Sequence, residues 1–137
     1  MSYYKEQLNQ YLSKLEIRCE KCLDVGGSAA PICDRVKVFD VKDYKILDNN
    51  NEKGLHDKWR EPDIVHDVNE FMGDGKITIW GQNDIIFCLE VLEYLHPYPV
   101  VLMDIYKLLN KGGELYITTC FGYPVHNPTE SDRLRLT

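Results

Sequence analysis

Apolar and polar residues follow two periodicities along this chain, one typical of helices and one typical of strands. Residues 3–18, within an N-terminal segment spanning 1–20, repeat apolar side chains at helical spacing and predict an amphipathic helix. The repeated positions are Tyr4, Leu8, Tyr11, Leu12 and Leu15. A helix with one apolar face can cover one face of a sheet.

Short apolar runs predict five β-strands, which span 22–26, 36–41, 63–68, 84–89 and 114–119. The fourth run is apolar almost throughout, as expected of a strand buried on both faces of a parallel sheet. The polar segment 42–62 predicts a loop with a short helix near 53–60. Alternation over 77–80 predicts a further short extended piece.

A second helix is predicted over 98–110, with Pro97 and Pro99 at its start and Gly112-Gly113 as its stop. Strands that alternate with helices or loops predict an α/β fold: a Rossmann-like, mostly parallel, three-layer sheet of about five strands. We expect a single domain over 1–137, in which 121–137 form an irregular tail.

Composition narrows the classes of partner. The 137 residues carry 16 basic and 22 acidic side chains, a net charge of −6, without a basic stripe, which disfavours nucleic acid. No apolar stretch approaches the roughly 18 residues of a membrane helix, and the N-terminus lacks a signal-peptide core. We therefore expect no membrane association and a cytoplasmic location.

The pair Cys19 and Cys22 has the spacing of a metal-binding motif, but the two further ligands that zinc needs are lacking. We therefore interpret these residues as core cysteines and not as a metal site.

The polar residues of greatest interest stand where predicted strands end. They are Asp24, Gly26 and Gly27 at the end of the first strand, Asp40 at the end of the second, Asp67 and Val68 at the end of the third, and Leu89 and Glu90 at the end of the fourth. The carboxyl ends of parallel strands meet at one edge, where open α/β sheets bind their ligands. The sequence therefore predicts a ligand site at this edge.

Two of these carboxylates suit a nucleoside. Asp40 can accept both hydroxyls of a ribose, because two oxygens match a cis-diol; a solvated strand-end aspartate is the alternative, and Asp43 is a second candidate nearby. Asp67 can accept the exocyclic amine of adenine, or equally cap a helix beginning at Asn69. The turn Gly26-Gly27-Ser28-Ala29 is not G-x-G-x-x-G, so a pyrophosphate is not indicated. S-adenosylmethionine therefore fits better than a nicotinamide dinucleotide.

With these features, the chain resembles the class I S-adenosylmethionine-dependent methyltransferases. The resemblance is carried by residues 23–27, by Asp40 and Asp67, by the block 84–93 with its continuation 108–115, and by the tail. It implies that Asp24, Gly26 and Gly27 lie beside the methionine part, Asp40 at the ribose, Asp67 and Val68 at the adenine, and Leu89 and Glu90 near the reacting methyl group.

The resemblance also implies methyl transfer, with His126 as candidate general base or, alternatively, a structural loop histidine. The stretch after the fourth strand lacks the motifs of nucleobase methyltransferases, so the expected acceptor is a small polar molecule such as a sugar or a biosynthetic intermediate.

Two departures from the family pattern leave a second function open. Ser28-Ala29 replaces the later glycine of the first motif, and these 137 residues lack the last two strands of the family's sheet. We expect either a fragment or minimal version of the fold, with the fifth strand as an exposed edge, or a partner that covers this edge. The alternative is a non-catalytic methyltransferase-like module that acts through self-association or through a partner covering that edge.

Overall fold

The computed structural model describes residues 3–119, which form three α-helices and five β-strands. The helices are α1 (Tyr3–Leu12), α2 (Asp74–Trp80) and α3 (Tyr98–Lys107). The strands are β1 (Glu16–Val25), β2 (Val38–Asp48), β3 (Ile64–Val65), β4 (Asn83–Cys88) and β5 (Leu109–Ile117). All pairings are parallel, in the order β3-β2-β1-β4-β5. The predicted Rossmann-like α/β sheet is therefore confirmed.

Apolar clusters on the two faces of the sheet produce the expected three layers. On one face, Leu12 of α1 packs with Cys22 and Phe87, so Cys22 is a core residue as predicted. On the other face, Ile105 of α3 packs with Ile86 of β4, and both are fully buried. Burying a side chain of this size contributes roughly 1.5–3 kcal/mol, so these clusters hold the helices on the sheet.

The predicted end of the second strand was wrong. β2 does not stop at Asp40 but continues to Asp48. It pairs with β1 in one register as far as the pair Val25 and Leu47. Ile46 and Leu47 are buried in this second half. The charged residues between them and Asp40 lie on a strand that is only partly buried. Because these residues are polar, the sequence predicted a loop there.

The first helix is also shorter than predicted, and the first strand longer. α1 ends at Leu12, where Ser13 donates its N–H to Asn9 and its hydroxyl to Gln10. β1 then begins at Glu16. Leu15 still packs beneath α1, which explains why the apolar repeat ran on past the end of the helix.

β1 and β2 extend together beyond the rest of the sheet at their amino ends. β4 joins β1 only from Cys22 to Val25, whereas β2 accompanies β1 from Glu16 onwards. One face of this two-stranded extension packs beneath α1, and the other carries the ion pair between Arg18 and Asp40. Because the strands are parallel, this extension lies at the amino edge of the sheet, opposite the carboxyl edge.

Three smaller expectations were wrong. Residues 77–80 belong to α2 rather than to an extended piece, because Ile77 and Trp80, three positions apart, share the face packed on the core. No helix forms over 53–60, which consists of turns and irregular chain. Gly112 and Gly113 lie inside β5, beside a register shift, rather than at the end of α3. The predicted tail 121–137 falls outside the described residues.

Candidate functional site

A cleft of about 440 Å³ opens at the carboxyl edge of the sheet. It is bordered by Gly26 after β1, Asp48 at the end of β2, Asp67 after β3 and Glu90 after β4. β1 lies between β2 and β4, where the strand order reverses, and this is the place where open α/β sheets bind ligands. The volume falls within the roughly 300–1,000 Å³ typical of small-molecule sites.

Asp24 supports this cleft from beneath and does not line it. Its side chain is buried, and Oδ2 accepts hydrogen bonds from the Tyr44 hydroxyl at 2.7 Å and the Ile32 N–H at 2.8 Å. Burial raises the pKa of Asp24 to about 6, although these two hydrogen bonds favour the charged form. Gly27 lies directly against the carboxylate, where a Cβ would collide with it. Asp24 and Gly27 therefore shape the loop after β1.

Two backbone N–H groups of that loop, those of Gly26 and Ser28, are bonded within the protein. Gly26 donates to the Leu47 carbonyl at 2.8 Å, and Ser28 donates to the Asp48 carboxylate at 3.2 Å. Gly26 has φ +76°, and a Cβ there would lie 2.5 Å from Val91 Cγ2, so the position requires glycine. A pyrophosphate needs several free, convergent amides. With the N–H groups of Gly26 and Ser28 already engaged, this loop has fewer amides to supply.

Asp48 occupies the place that the sequence assigned to Asp40. Asp40 lies near the amino end of β2 with its side chain 73% exposed, and neither it nor Asp43 lines the cleft. Asp48 lines the cleft, and its two oxygens accept the N–H groups of Asn49, at 2.7 Å, and Ser28. A carboxylate offers about four lone-pair positions, so Asp48 can still accept two hydroxyls.

Asp67 and Val68 both line the cleft, as expected. Asp67 also caps a turn: Oδ1 accepts the Asn69 N–H at 2.9 Å, and its carbonyl accepts the Glu70 N–H at 2.9 Å. The predicted helix cap was wrong, because Asp67 caps only a turn, and the residue lines the cleft. The helix that follows, α2, begins only at Asp74.

The structure separates Glu90 from Leu89. Glu90 lines the cleft in a left-handed conformation, φ +57°, held by an N–H bond to Thr118 Oγ1 of 3.0 Å. Its Oε2 lies 3.8 Å from Arg35 Nη2. Leu89 is buried on the α1 side of the sheet and borders a smaller groove with Tyr116 instead. The expectation that Leu89 would line the same cleft was wrong, because consecutive residues leave the strand on opposite faces.

Two aromatic side chains in the lining were not anticipated. Trp59 lines the cleft from the segment after β2, with the His56 ring stacked on it at 6.2 Å. His66 is buried; Nε2 lies 3.2 Å from the Glu70 carbonyl and Nδ1 lies 3.4 Å from Lys76 Nζ. Both ring nitrogens of His66 therefore have polar neighbours within the protein. His126 lies outside the described residues.

The cleft is acidic. Four carboxylates line it, those of Asp48, Glu52, Asp67 and Glu90, and no lysine or arginine within residues 3–119 does. Such a lining attracts cations and repels phosphates.

The chain matches no protein-family model, and no curated protein matches it significantly. Across residues 3–119, no helix has the length and apolarity needed to cross a membrane.

Proposed function

We propose that this protein binds S-adenosylmethionine in the cleft and transfers its methyl group to a small polar acceptor. The observation that carries the proposal is the convergence of Asp48, Asp67 and Glu90, from the ends of three strands, on a lining without lysine or arginine among the described residues. Such a site suits hydroxyls, an amine and a cation. The loop after β1, with the amides of Gly26 and Ser28 already bonded and no lysine or arginine lining the cleft among the described residues, suits a pyrophosphate poorly.

The residues present fit the parts of this cofactor. Asp48 has lone pairs left for the two ribose hydroxyls, and Asp67 with Val68 suits the adenine amine and ring. Gly26 lines the cleft, and we assign the methionine part to its side. Asp24 and Gly27 act from beneath, by fixing the loop that carries Gly26.

S-adenosylmethionine supplies an electrophilic methyl group on a sulfonium sulfur. The protein's task is chiefly to orient donor and acceptor, which contributes up to ~7–11 kcal/mol in ideal cases. The strand ends serve this purpose, because the sheet fixes Asp48 and Glu90 relative to each other. His126 remains the proposed general base, and a cytoplasmic location, where thiols stay reduced, belongs to the same proposal.

A calorimetric titration tests the proposal. The wild-type protein should bind S-adenosylmethionine and S-adenosylhomocysteine, Asp48→Ala should weaken both by at least about tenfold, and Asp40→Ala should leave both unchanged. Asp40 is the matched control, since it lies on the same strand outside the cleft. Absence of both heat and thermal shift with folded wild-type protein would refute the proposal.

A second candidate function is association without catalysis, favoured by two exposed surfaces. Within the described residues β5 pairs only with β4, and its Ile117 is 38% exposed. On α3, Val100, Met103 and Tyr106 follow one another at helical spacing and are all more than half exposed. Light scattering distinguishes the two functions: self-association that Met103→Glu abolishes, without cofactor binding, would favour the second.

A further inference from the structure

The lining of the cleft carries more negative than positive charge. Four carboxylates line the cleft, and among the ion pairs of the described residues Arg35 reaches Glu90, at 3.8 Å, and His56 reaches Glu52, at 2.7 Å. Lys76 approaches the lining at His66. Asp48 and Asp67 accept backbone N–H groups but form no ion pair within residues 3–119. The cleft therefore keeps an excess of negative charge.

We propose that this cleft selects its ligand by charge, so that S-adenosylmethionine binds more tightly than S-adenosylhomocysteine. The inference rests on the proposed function. The two molecules differ by one methyl group and one positive charge at sulfur. A cleft of one sign with low-dielectric walls concentrates its field, so the loss of that charge on methyl transfer removes a favourable interaction. The spent product would then leave readily instead of occupying the site.

Glu90 is the residue expected to contribute most to this selection. Its side chain is 25% exposed, compared with 52% for Glu52, so solvent and salt screen its charge less. Its backbone is fixed by the hydrogen bond to Thr118, which keeps the carboxylate at the end of β4. Arg35 reduces this charge without cancelling it, because 3.8 Å is longer than a direct charged hydrogen bond.

The test compares three ligands by calorimetry: S-adenosylmethionine, S-adenosylhomocysteine and sinefungin, in which a carbon bearing an amine replaces the methylated sulfur. Both cationic ligands should bind about tenfold more tightly than S-adenosylhomocysteine at low salt, and the ratio should shrink in about 0.5 M salt. Glu90→Gln should lower the ratio about threefold while changing the affinity for S-adenosylhomocysteine little.

Glu20→Gln is the matched control. It changes the net charge of the chain by the same amount, but Glu20 lies on β1 in an exposed pair with Lys42, away from the cleft. The ratio should be unchanged in this variant. A fall equal to that in Glu90→Gln would overturn the inference, because net charge alone would then explain the preference.

The remaining outcomes are distinct. Equal or tighter binding of S-adenosylhomocysteine overturns charge selection and leaves the proposed function standing. Sinefungin that binds as weakly as S-adenosylhomocysteine also overturns it, since the methyl group would then discriminate. Failure of folded wild-type protein to bind any of the three overturns both proposals. The salt series uses only wild-type protein and decides the matter even if Glu90→Gln does not fold.

Discussion

The Asp48 carboxylate accepts the backbone N–H of Ser28 at 3.2 Å and so ties the end of β2 to the loop that follows β1. The same loop is fixed from beneath by Asp24, through the N–H of Ile32. Two strands thus hold one loop through two carboxylates, one exposed to the cleft and one buried. The ligand side of the loop is shaped before any ligand arrives, which lowers the ordering cost of binding.

Asp24 should make the protein less stable as the pH rises towards neutrality. Burial raises its pKa to about 6 from an ordinary value of 3.8, so the folded protein holds this proton more tightly than the unfolded chain. The resulting contribution to the free energy of unfolding, about 3 kcal/mol, is complete below pH ~4 and is lost as the pH rises through about 6. Urea denaturation of wild-type and Asp24→Asn proteins between pH 4 and 7 measures it. Parallel curves for the two proteins would contradict the expectation.

Asp84 should behave in the opposite sense. Its pKa is lowered, first by the Lys21 N–H that donates to Oδ2 at 2.9 Å and then by the Asn110 amide on Oδ1 at 2.8 Å. The folded protein therefore favours the charged form, and the contribution present at neutral pH is lost as the pH falls through the folded-state pKa. Asp84→Asn should be less stable than wild type at pH 7 and approach it near pH 3. A difference that stays constant across this range would rule out the ionic origin.

Gly26→Ala should impair both stability and ligand binding. The added Cβ meets Val91 Cγ2 at 2.5 Å, and the residue has positive φ, so strain and collision combine to cost more than about 1–2 kcal/mol. Gly54→Ala is the matched control: Gly54 also has positive φ, +89°, but no atom lies within 4 Å of its Cβ position. Thermal unfolding and calorimetry of the pair separate backbone strain from collision. Equal losses would show that Val91 gives way.

Trp59 should report ligand binding by fluorescence. The chain has two tryptophans, and Trp59 lines the cleft whereas Trp80 packs beside it, against His66 at 5.1 Å. Trp80→Phe leaves Trp59 as the only indole, and its emission should change when S-adenosylhomocysteine binds. Trp59→Phe should retain a much smaller response. A larger response from Trp80 than from Trp59 would place the ligand elsewhere.

The sequence predicted β4 well, because this strand is covered on both faces. β4 is apolar almost throughout because helices cover both of its faces, and its predicted and observed limits differ by one residue at each end. β2 was half missed because Lys42, Asp43 and Lys45 interrupt it where its surface is open. The ribose candidate was therefore placed on Asp40, although Ile46-Leu47-Asp48 repeats the apolar-then-acidic pattern at the true strand end.

A short window limits what periodicity can decide. Over residues 77–80, alternation and helical spacing both fit the same apolar side chains, and only the packing of Ile77 and Trp80 against the core separates them. No sequence pattern predicted that Trp59 lines the cleft. It lies in an irregular segment, and only the fold brings that segment to the cleft.

The paired amino ends of β1 and β2 lie far from the cleft. β1 has ten residues and spans roughly 33 Å, with the cleft at its carboxyl end. Between Glu16 and Lys21, β1 pairs with β2 and not with β4, and the exposed pair Arg18 and Asp40 lies on the face opposite α1. Because α1 also packs on Phe87 of β4, that exposed face, and not the helix, is where the chain can tolerate substitution, labelling or attachment to a surface while the cleft keeps its shape.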